Sequence, residues 1–457
     1  MANHMDATIQ DNQGTNGLKR SLRIWDLVIF GLIFMNPVAA MAMFGIITKV
    51  SNGHSVMAYV IGFVAMLFTA YSFGKMVRAF PVAGSTYTYA KRALHPRFGF
   101  MAGWGILLDY LFLPMLTYLI SASYAHELVP GIPIWAWVLI FAIPVKVINI
   151  LGIEIAAKVN FGLAILLIVV VITFVVSAIQ YITTGSLQLV DMNVLYNPDT
   201  FSFSALISGS AIVIVAYLGF DAITTLAEET RESGKKIGTA LFITCIIQTI
   251  FFVTITYLGM VVIGHYTAID NPDTAFYAIL ETVSHPFVQT FIAVMIIVSN
   301  VAAGLASQIS ASRMLYGMGR DNVIPNKFFG YIHPKFKTPV HNLLLMSAMA
   351  IAGALLVSLP ILSDLISFGG LFGFACVNLS VISHYYIRNK ERNIFKHLIV
   401  PFIGIVVCLY ILFGLSTIGK IVGVSWMALG IIYLIVRALL SKDPKVHLTN
   451  NIDQNSN

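Results

Sequence analysis

Two interrupted apolar segments, FMNPVA at residues 34–39 and LGFDA at residues 218–222, determine how this chain can fold. Each lies inside a run that is otherwise long and apolar enough to cross a membrane. A bilayer core offers no water to freed backbone groups, so a broken helix at that depth must be packed in protein or line a polar cavity. Paired breaks in two halves of a chain are typical of secondary transporters, which bind substrate near the membrane midplane.

The composition of the whole chain is that of an integral membrane protein. Hydrophobic residues make up 58% of the 457 residues and charged residues only 10%, against roughly 25% charged residues in soluble domains. The mean hydropathy is +0.86. The net charge of +7 requires no nucleic-acid partner, because basic loops beside an anionic lipid leaflet account for it.

The chain between two polar tails, residues 1–21 and 441–457, contains twelve segments close to the length of about 20 residues that a spanning helix needs. We therefore predict an all-α membrane protein with twelve transmembrane helices that contact the lipid bilayer. The predicted spans are residues 26–49, 56–78, 99–126, 133–152, 155–182, 203–228, 236–264, 287–317, 340–359, 361–387, 398–418 and 421–440.

Lys and Arg residues alternate between the two sides of this predicted topology. They cluster before the first span and after the second, fourth, sixth, eighth and tenth spans, whereas only Lys49 and Lys420 lie on the opposite side. Short cytosolic loops retain positive charge. We expect both termini in the cytosol and the protein in the inner or plasma membrane of the cell.

No pattern in the chain is typical of an enzyme. It has no phosphate-binding Gly loop, no Ser nucleophile elbow and no His pair at metal-binding spacing. Its three cysteines lie in apolar runs without a C-x-x-C pair. We expect no catalysis, no cofactor and no metal site, and any uphill transport would be driven by an ion gradient or by exchange.

Two carboxylates fall inside predicted spans, where a charge costs roughly 2.5 to 3.5 kcal/mol on insertion scales. Asp221 lies in the second break, and Asp109 lies near the middle of the third span. Asp221 is a candidate counter-charge for an ammonium group or a proton carrier; the alternative is a helix cap. Asp109 has the same candidate role, or is a hydrogen-bonded core carboxylate. Tyr110 offers a face to a cation, or is a packing aromatic.

The first break is poor in hydrogen-bond donors. Anion binding at a broken helix needs free backbone N–H groups, but Asn36-Pro37 occupies the position where a Gly-rich turn would supply them. Proline has no N–H. With two intramembrane carboxylates, the sequence favours a cationic amine without an essential carboxylate. The alternative, in which Pro37 merely breaks the helix, leaves the substrate class open.

Several motifs along the chain are similar to those of the amino acid, polyamine and organocation (APC) transporter superfamily. The first of them resembles the putrescine importer branch of that superfamily. The motifs are residues 31–37 with 45–54, FPVAGSTYTY at 80–89, GFD at 219–221 with EET at 228–230, and SRMLY at 312–316 with GRD at 319–321, IP at 324–325 and TP at 338–339.

This resemblance implies the leucine-transporter fold. Residues 22–182 (spans 1–5) and 203–387 (spans 6–10) would form inverted repeats, with spans 11 and 12 (398–440) outside them. The substrate would lie between the two broken spans and against the third, eighth and tenth spans. In the tenth span, Phe368, Gly369 and Gly370 would line the substrate site or serve as close-packing positions between helices. The predicted substrate-binding residues are Asn36, Pro37, Asp109, Tyr110, Gly219, Phe220, Asp221, Ser299 and Asn300.

The fifth span bears on the coupling ion. Proton-coupled amino-acid members of the superfamily often carry a lysine there, and residues 161–176 contain none. Asp221 or Asp109 would then carry the proton, which we favour over sodium as the coupling ion. Sodium stays open, because its usual ligands include hydroxyls such as those of Ser307 or Ser310.

An acidic pair ends the sixth span on the predicted cytosolic side. Glu228 and Glu229 could pair with Arg313 or Arg320 as a cytosolic gate, or form a solvated helix end.

The leading functional hypothesis is a secondary active transporter that imports a small cationic amine, putrescine or a related polyamine, by proton-coupled alternating access. One alternative is an amino acid permease or exchanger of the same fold. Another is a transport-inactive nutrient sensor. The sequence leaves open the exact substrate, coupling against exchange, the direction of net flux and the oligomeric state.

Overall fold

The computed structural model describes residues 23–81, 86–151, 154–185, 187–225, 227, 230, 233–320, 324–336 and 338–440, and the regular elements within these ranges are helical. A short 3₁₀ helix (Tyr266–Ala268) and two π-helical segments (Ile382–Arg388 and Phe395–Ile399) accompany the α-helices. The α-helices are α1 (Ile24–Phe34), α2 (Ala39–Val50), α3 (Ser55–Ala79), α4 (Thr86–Ala93), α5 (Pro96–Leu128), α6 (Ile134–Leu151), α7 (Glu154–Thr184), α8 (Met192–Leu195), α9 (Phe203–Tyr217), α10 (Ala222–Thr225), α11 (Gly234–Ile263), α12 (Ala275–Val283), α13 (Pro286–Arg320), α14 (Asn326–Phe329), α15 (Val340–Leu356), α16 (Leu359–Val381), α17 (Val400–Phe413) and α18 (Thr417–Leu440).

The helices reproduce the twelve predicted spans. Among the described residues, ten helices are long and apolar enough to cross a membrane, and α1 with α2 makes an eleventh span. The apolar helix α15, with 17 residues, accounts for the twelfth. The all-α, twelve-span prediction is confirmed, whereas the tails, residues 1–21 and 441–457, lie outside the described ranges.

The first span breaks because two neighbouring residues cannot continue a helix. Pro37 has no N–H to donate, and Asn36 has a φ of 55°, in the left-handed region that asparagine tolerates better than most residues. Consequently α1 ends at Phe34, and α2 starts at Ala39 with its axis turned by 48°. The Ala39 N–H donates to the Asn36 carbonyl at 2.9 Å and begins the second half-helix.

The second break depends on a glycine. Gly219 has a φ of 102°, which glycine adopts without a steric penalty. A Cβ at this position would also collide with the Phe34 ring, so the missing side chain lets the two breaks contact each other. The new helix α10 begins where the Ala222 N–H donates to the Gly219 carbonyl at 3.1 Å.

Long helices surround the paired breaks. The third span, α5, packs against α13, α15 and α16, while α3 packs against α9 and α11. Glycines bring α5 and α16 close together, since a Cβ at Gly369 would lie only 2.8 Å from the Gly105 carbonyl oxygen. Gly370 abuts Leu218 in the same way. Both glycines of the tenth span are therefore close-packing positions.

The last two spans lie outside this arrangement and expose much apolar surface. A reciprocal tryptophan pair attaches α18 to α5: the Nε1–H of Trp104 and that of Trp426 each donate to the other's carbonyl at 2.8 Å. Their rings stack with centroids 4.7 Å apart. The two preceding halves each run from a broken span through four further spans, the order that inverted repeats require; the repeat limits of 22–182 and 203–387 stay a prediction.

Candidate functional site

A cavity of about 110 Å³ lies between the two breaks, lined by residues of α1, α2, α5, α7, α9, α10 and α13. This volume exceeds that of a single water site several-fold, so it suits a small molecule as well as an ion. Most of the predicted substrate-binding residues line it together: Asn36, Asp109, Tyr110, Gly219, Asp221, Ser299 and Asn300.

Two predicted binding residues, Pro37 and Phe220, do not line this cavity. Pro37 is buried in the break. The Phe220 ring packs against Phe73 and Phe374, with ring centroids 5.4 Å away in both cases. The residue before each of them, Asn36 or Gly219, has a positive φ and turns the chain. Phe368 is likewise absent from the lining and packs against Gly423 of α18.

Asp109 is a buried carboxylate with an unmet hydrogen-bonding need. This residue is 7% exposed, and its Oδ1 is enclosed without a hydrogen-bond partner among the described residues. Burial of a charged oxygen is costly unless a cation, a donor or a proton compensates it. Among the described residues, Oδ1 makes none of the hydrogen bonds expected of a hydrogen-bonded core carboxylate, and the choice between the two roles of Asp109 stays a prediction.

Asp221 lies in a different environment, although it is also 7% exposed. The backbone N–H groups of Gly219, Asp221 and Ala222 face its carboxylate, as at the N-terminus of a capped helix. It lines the same cavity as Asp109, so two like charges share this site. The cap and the cavity-lining position thus hold together at this residue.

Pro114 explains a polar contact across the cavity that sequence reasoning did not identify. Proline lacks the N–H that would bond the carbonyl four residues earlier, which is that of Tyr110. Ser307 of α13 donates its hydroxyl to this carbonyl at 3.2 Å. A proline within an apolar span was the available signal for a freed carbonyl, but the sequence does not identify the partner.

The first break is connected to α13 through side-chain amides and hydroxyls. The Asn36 Nδ2 donates to the Ser299 Oγ at 3.3 Å. Ser299 and Asn300 both donate to the Ile296 carbonyl at 2.9 Å. This contact joins the broken span to the eighth span at the cavity wall.

The described lining of the cavity is rich in acceptors and poor in free donors. It contains two carboxylates and no Lys, Arg or His. A hydroxyl has one proton to donate and two lone pairs, and those of Thr117, Ser299 and Ser307 each donate to a carbonyl of the protein. The oxygens of Thr117 and Ser307 keep lone pairs for a ligand, and Ser299 keeps one besides the lone pair that accepts from Asn36, so the arrangement suits a donor-rich cation.

The structure describes only some of the residues of the predicted cytosolic gate. Glu228 and Glu229 lie outside the described residues, and Arg313 on α13 is exposed. The pairing of these residues therefore stays a prediction.

Two broken helices, with a cavity between them that two carboxylates line, define a class of protein, the secondary transporters with discontinuous spans. A model of the family described as amino acid permease matches residues 33–455. The chain belongs to this family, within the APC superfamily, and the resemblance inferred from its motifs is confirmed. It is a multi-pass membrane transporter and not an enzyme, and its family implies a small amine or amino acid as substrate.

Curated relatives match along nearly the whole chain. The low-affinity putrescine importer PlaP of Escherichia coli strain K12 is 34% identical over 437 residues, which cover 94% of this chain and 96% of the relative. The branched-chain amino acid permease BcaP of Bacillus subtilis is 23% identical, and the matched region covers 93% of this chain and 95% of that permease. The methylthioribose transporter of Bacillus subtilis is also 23% identical, with coverage of 93% and 94%.

Proposed function

We propose that this protein imports a small cationic amine, putrescine or a related diamine, by proton-coupled alternating access around the two broken helices. The observation that carries the proposal is the pair of buried carboxylates, Asp109 and Asp221, in a cavity whose described lining has no basic residue. Such a site is unfavourable when empty and ionised, and a diammonium ion would compensate both charges.

The helix ends at the breaks support a cation as well. Both α1 and α9 end at the cavity, and the carbonyl end of a helix carries a partial negative charge. At the start of α2, by contrast, Pro37 has no N–H, and the N–H groups of Val38 and Ala39 are bonded to Asn36. A substrate carboxylate would find few donors there.

The relatives support the same branch. The putrescine importer of Escherichia coli is 34% identical to this chain, while the branched-chain amino acid permease and the methylthioribose transporter are each 23% identical. The amino acid permease family as a whole supports amino acid transport as the rival function, and the substrate experiment below separates the two.

Coupling and orientation complete the proposal. Because the two cavity carboxylates can each carry a proton, one of them would couple proton entry to amine entry. We also propose that both termini lie in the cytosol and the protein in the inner or plasma membrane, which the distribution of basic loops in the sequence supports.

Uptake into proteoliposomes tests the substrate class. Purified protein is reconstituted, and entry of radiolabelled putrescine is compared with entry of radiolabelled leucine and arginine, with protein-free liposomes as the control. We expect putrescine to enter and unlabelled cadaverine to compete with it, while leucine neither enters nor competes.

Two outcomes would contradict the proposal. Uptake of amino acids with no uptake of putrescine would assign the protein to the amino acid permeases in function as well as in family. Binding of putrescine without any flux would instead indicate a nutrient sensor.

A further inference from the structure

The backbone at the first break is capped by one side chain of the chain itself. Asn36 lines the cavity and is 8% exposed. Its Oδ1 accepts the Val38 N–H at 3.4 Å, and its carbonyl accepts the Ala39 N–H at 2.9 Å. Since Pro37 has no N–H, the first three positions after Asn36 offer no free donor to a ligand.

A helix N-terminus is otherwise a favourable anion site, because its free N–H groups point towards the ligand. Just before α2, the carboxamide oxygen of Asn36 accepts the Val38 N–H, a donor that a carboxylate oxygen of a ligand would otherwise meet. A second contact holds this side chain there, since its Nδ2 donates to Ser299 Oγ at 3.3 Å. Asn36 is thus held between the backbone just before α2 and the opposite wall, α13.

We propose that Asn36 determines specificity by occupying the subsite in which a substrate carboxylate would bind, so that the cavity accepts diamines and rejects the amino acids that contain the same amine groups. The inference rests on the proposed function, because it explains how a cavity in this family would select an amine without a carboxylate. Asp109 and Asp221 reinforce the rejection, since a carboxylate in the same cavity meets two like charges.

Ornithine and putrescine form the matched pair of ligands for a test. Ornithine is putrescine with one added carboxylate, so the ratio of their inhibition constants against radiolabelled putrescine uptake isolates that group. The ratio is insensitive to a general loss of active protein, which lowers uptake without changing relative competition.

Two substitutions at Asn36 form the matched pair of variants. Both Asn36→Gly and Asn36→Asp are compatible with the φ of 55°. Glycine removes the capping oxygen and frees the Val38 N–H, whereas aspartate retains an acceptor. In the glycine variant we expect the inhibition constant of ornithine to fall about tenfold relative to that of putrescine. One recovered charge-assisted hydrogen bond would have an effect of this size. The aspartate variant should exclude ornithine as the wild type does.

The Ser299→Ala variant separates the cap from the contact with α13. It removes the partner of Nδ2 but leaves the Oδ1 cap, so the ornithine ratio should remain within about twofold of the wild type. If the glycine variant does not transport, the shift in melting temperature of the purified variant with ornithine or putrescine gives the same comparison.

The outcomes distinguish this inference from the proposed function. Wild-type putrescine uptake together with an unchanged ornithine ratio in the glycine variant would overturn the role of Asn36 and leave the function intact. Equal competition by ornithine and putrescine in the wild type would also overturn it. Wild-type uptake of amino acids without putrescine would overturn the proposed function, and the carboxylate exclusion with it.

Discussion

Asp109 and Asp221 differ in how the protein compensates their charge. Backbone N–H groups face the Asp221 carboxylate at the start of α10, whereas the enclosed Oδ1 of Asp109 has no hydrogen-bond partner in the part of the chain that the structure describes. The backbone therefore offers hydrogen-bond donors to the Asp221 carboxylate, whereas Asp109 depends more on a bound proton or cation. Two neighbouring carboxylates in unequal environments are suited to different parts of one transport cycle.

The Asp221→Asn variant tests the charge at the second break. The amide keeps the shape and one acceptor oxygen, so the cap and the fold should persist. We expect putrescine uptake to fall about 100-fold, because removing one member of a buried charge pair costs roughly 3 kcal/mol. The melting temperature in detergent is the control for folding. Wild-type uptake in this variant would identify the carboxylate as a structural cap only.

The Asp109→Asn variant tests whether two carboxylates hold two ammonium groups. The second ammonium of a diamine would lose its counter-charge, whereas a monoamine held at Asp221 would lose little. We expect the inhibition constant of putrescine to rise at least tenfold more than that of butylamine, when both compete with labelled putrescine. Equal weakening of the two amines would remove Asp109 from that role.

The binding-site residues that could be selected from the sequence differ from the others in how unusual their residue type is within an apolar span. A carboxylate in an apolar span is conspicuous, so Asp109 and Asp221 could be selected from the sequence alone. Thr117 was not selected, and Ser307 was named only as a possible sodium ligand, because hydroxyls are common in membrane helices and only tertiary contacts distinguish them. Pro37 and Phe220 stand beside lining residues in sequence, yet they do not line the cavity.

At the scale of helices, α5 and α13 are joined where α5 lacks a backbone hydrogen bond. Pro114 leaves the Tyr110 carbonyl without its helical donor, and the Ser307 hydroxyl supplies one at 3.2 Å. The contact joins two walls of the cavity, so it fixes the distance between the third and eighth spans at the depth of the carboxylates.

A Ser307→Ala variant should lower the free energy of unfolding by about 1 kcal/mol, since it leaves a carbonyl unpaired. In a Pro114→Ala background, the backbone N–H gained at residue 114 can bond the Tyr110 carbonyl. Ser307→Ala should therefore lower the free energy of unfolding by less in that background. Ser310→Ala is the matched control, because Ser310 donates only within its own helix, to the Ala306 carbonyl. Thermal unfolding in detergent measures all of these. If Ser307→Ala lowers the stability equally in both backgrounds, the Ser307 hydroxyl does not replace the hydrogen bond that Pro114 removes.

The helices and their breaks were predictable because their causes are local. Runs of apolar residues give the spans, while Asn36-Pro37 and Gly219 interrupt two of them. The assembly of the cavity wall was less predictable. Ala302, Ala303 and Ala306 of α13 line the cavity, but small residues on a membrane helix serve equally in helix packing, and the sequence alone does not tell the two roles apart.

At the scale of the whole molecule, the proposed coupling predicts how uptake responds to ion gradients. Proteoliposomes with an acidic exterior should take up putrescine several-fold faster than those without a gradient, because a proton enters with the amine. An inward sodium gradient at equal pH should have no such effect. Initial rates of labelled putrescine entry measure both. Acceleration by sodium alone would assign the coupling to sodium and remove the proton from the account.

The central claim is that the buried carboxylates form the binding site for a cationic amine, and equilibrium binding of putrescine tests it most directly. Isothermal titration of purified wild-type protein should give one binding site per chain. The Asp109→Asn, Asp221→Asn double variant should bind at least 100-fold more weakly with an unchanged melting temperature. Binding by that folded double variant with wild-type affinity would contradict the claim.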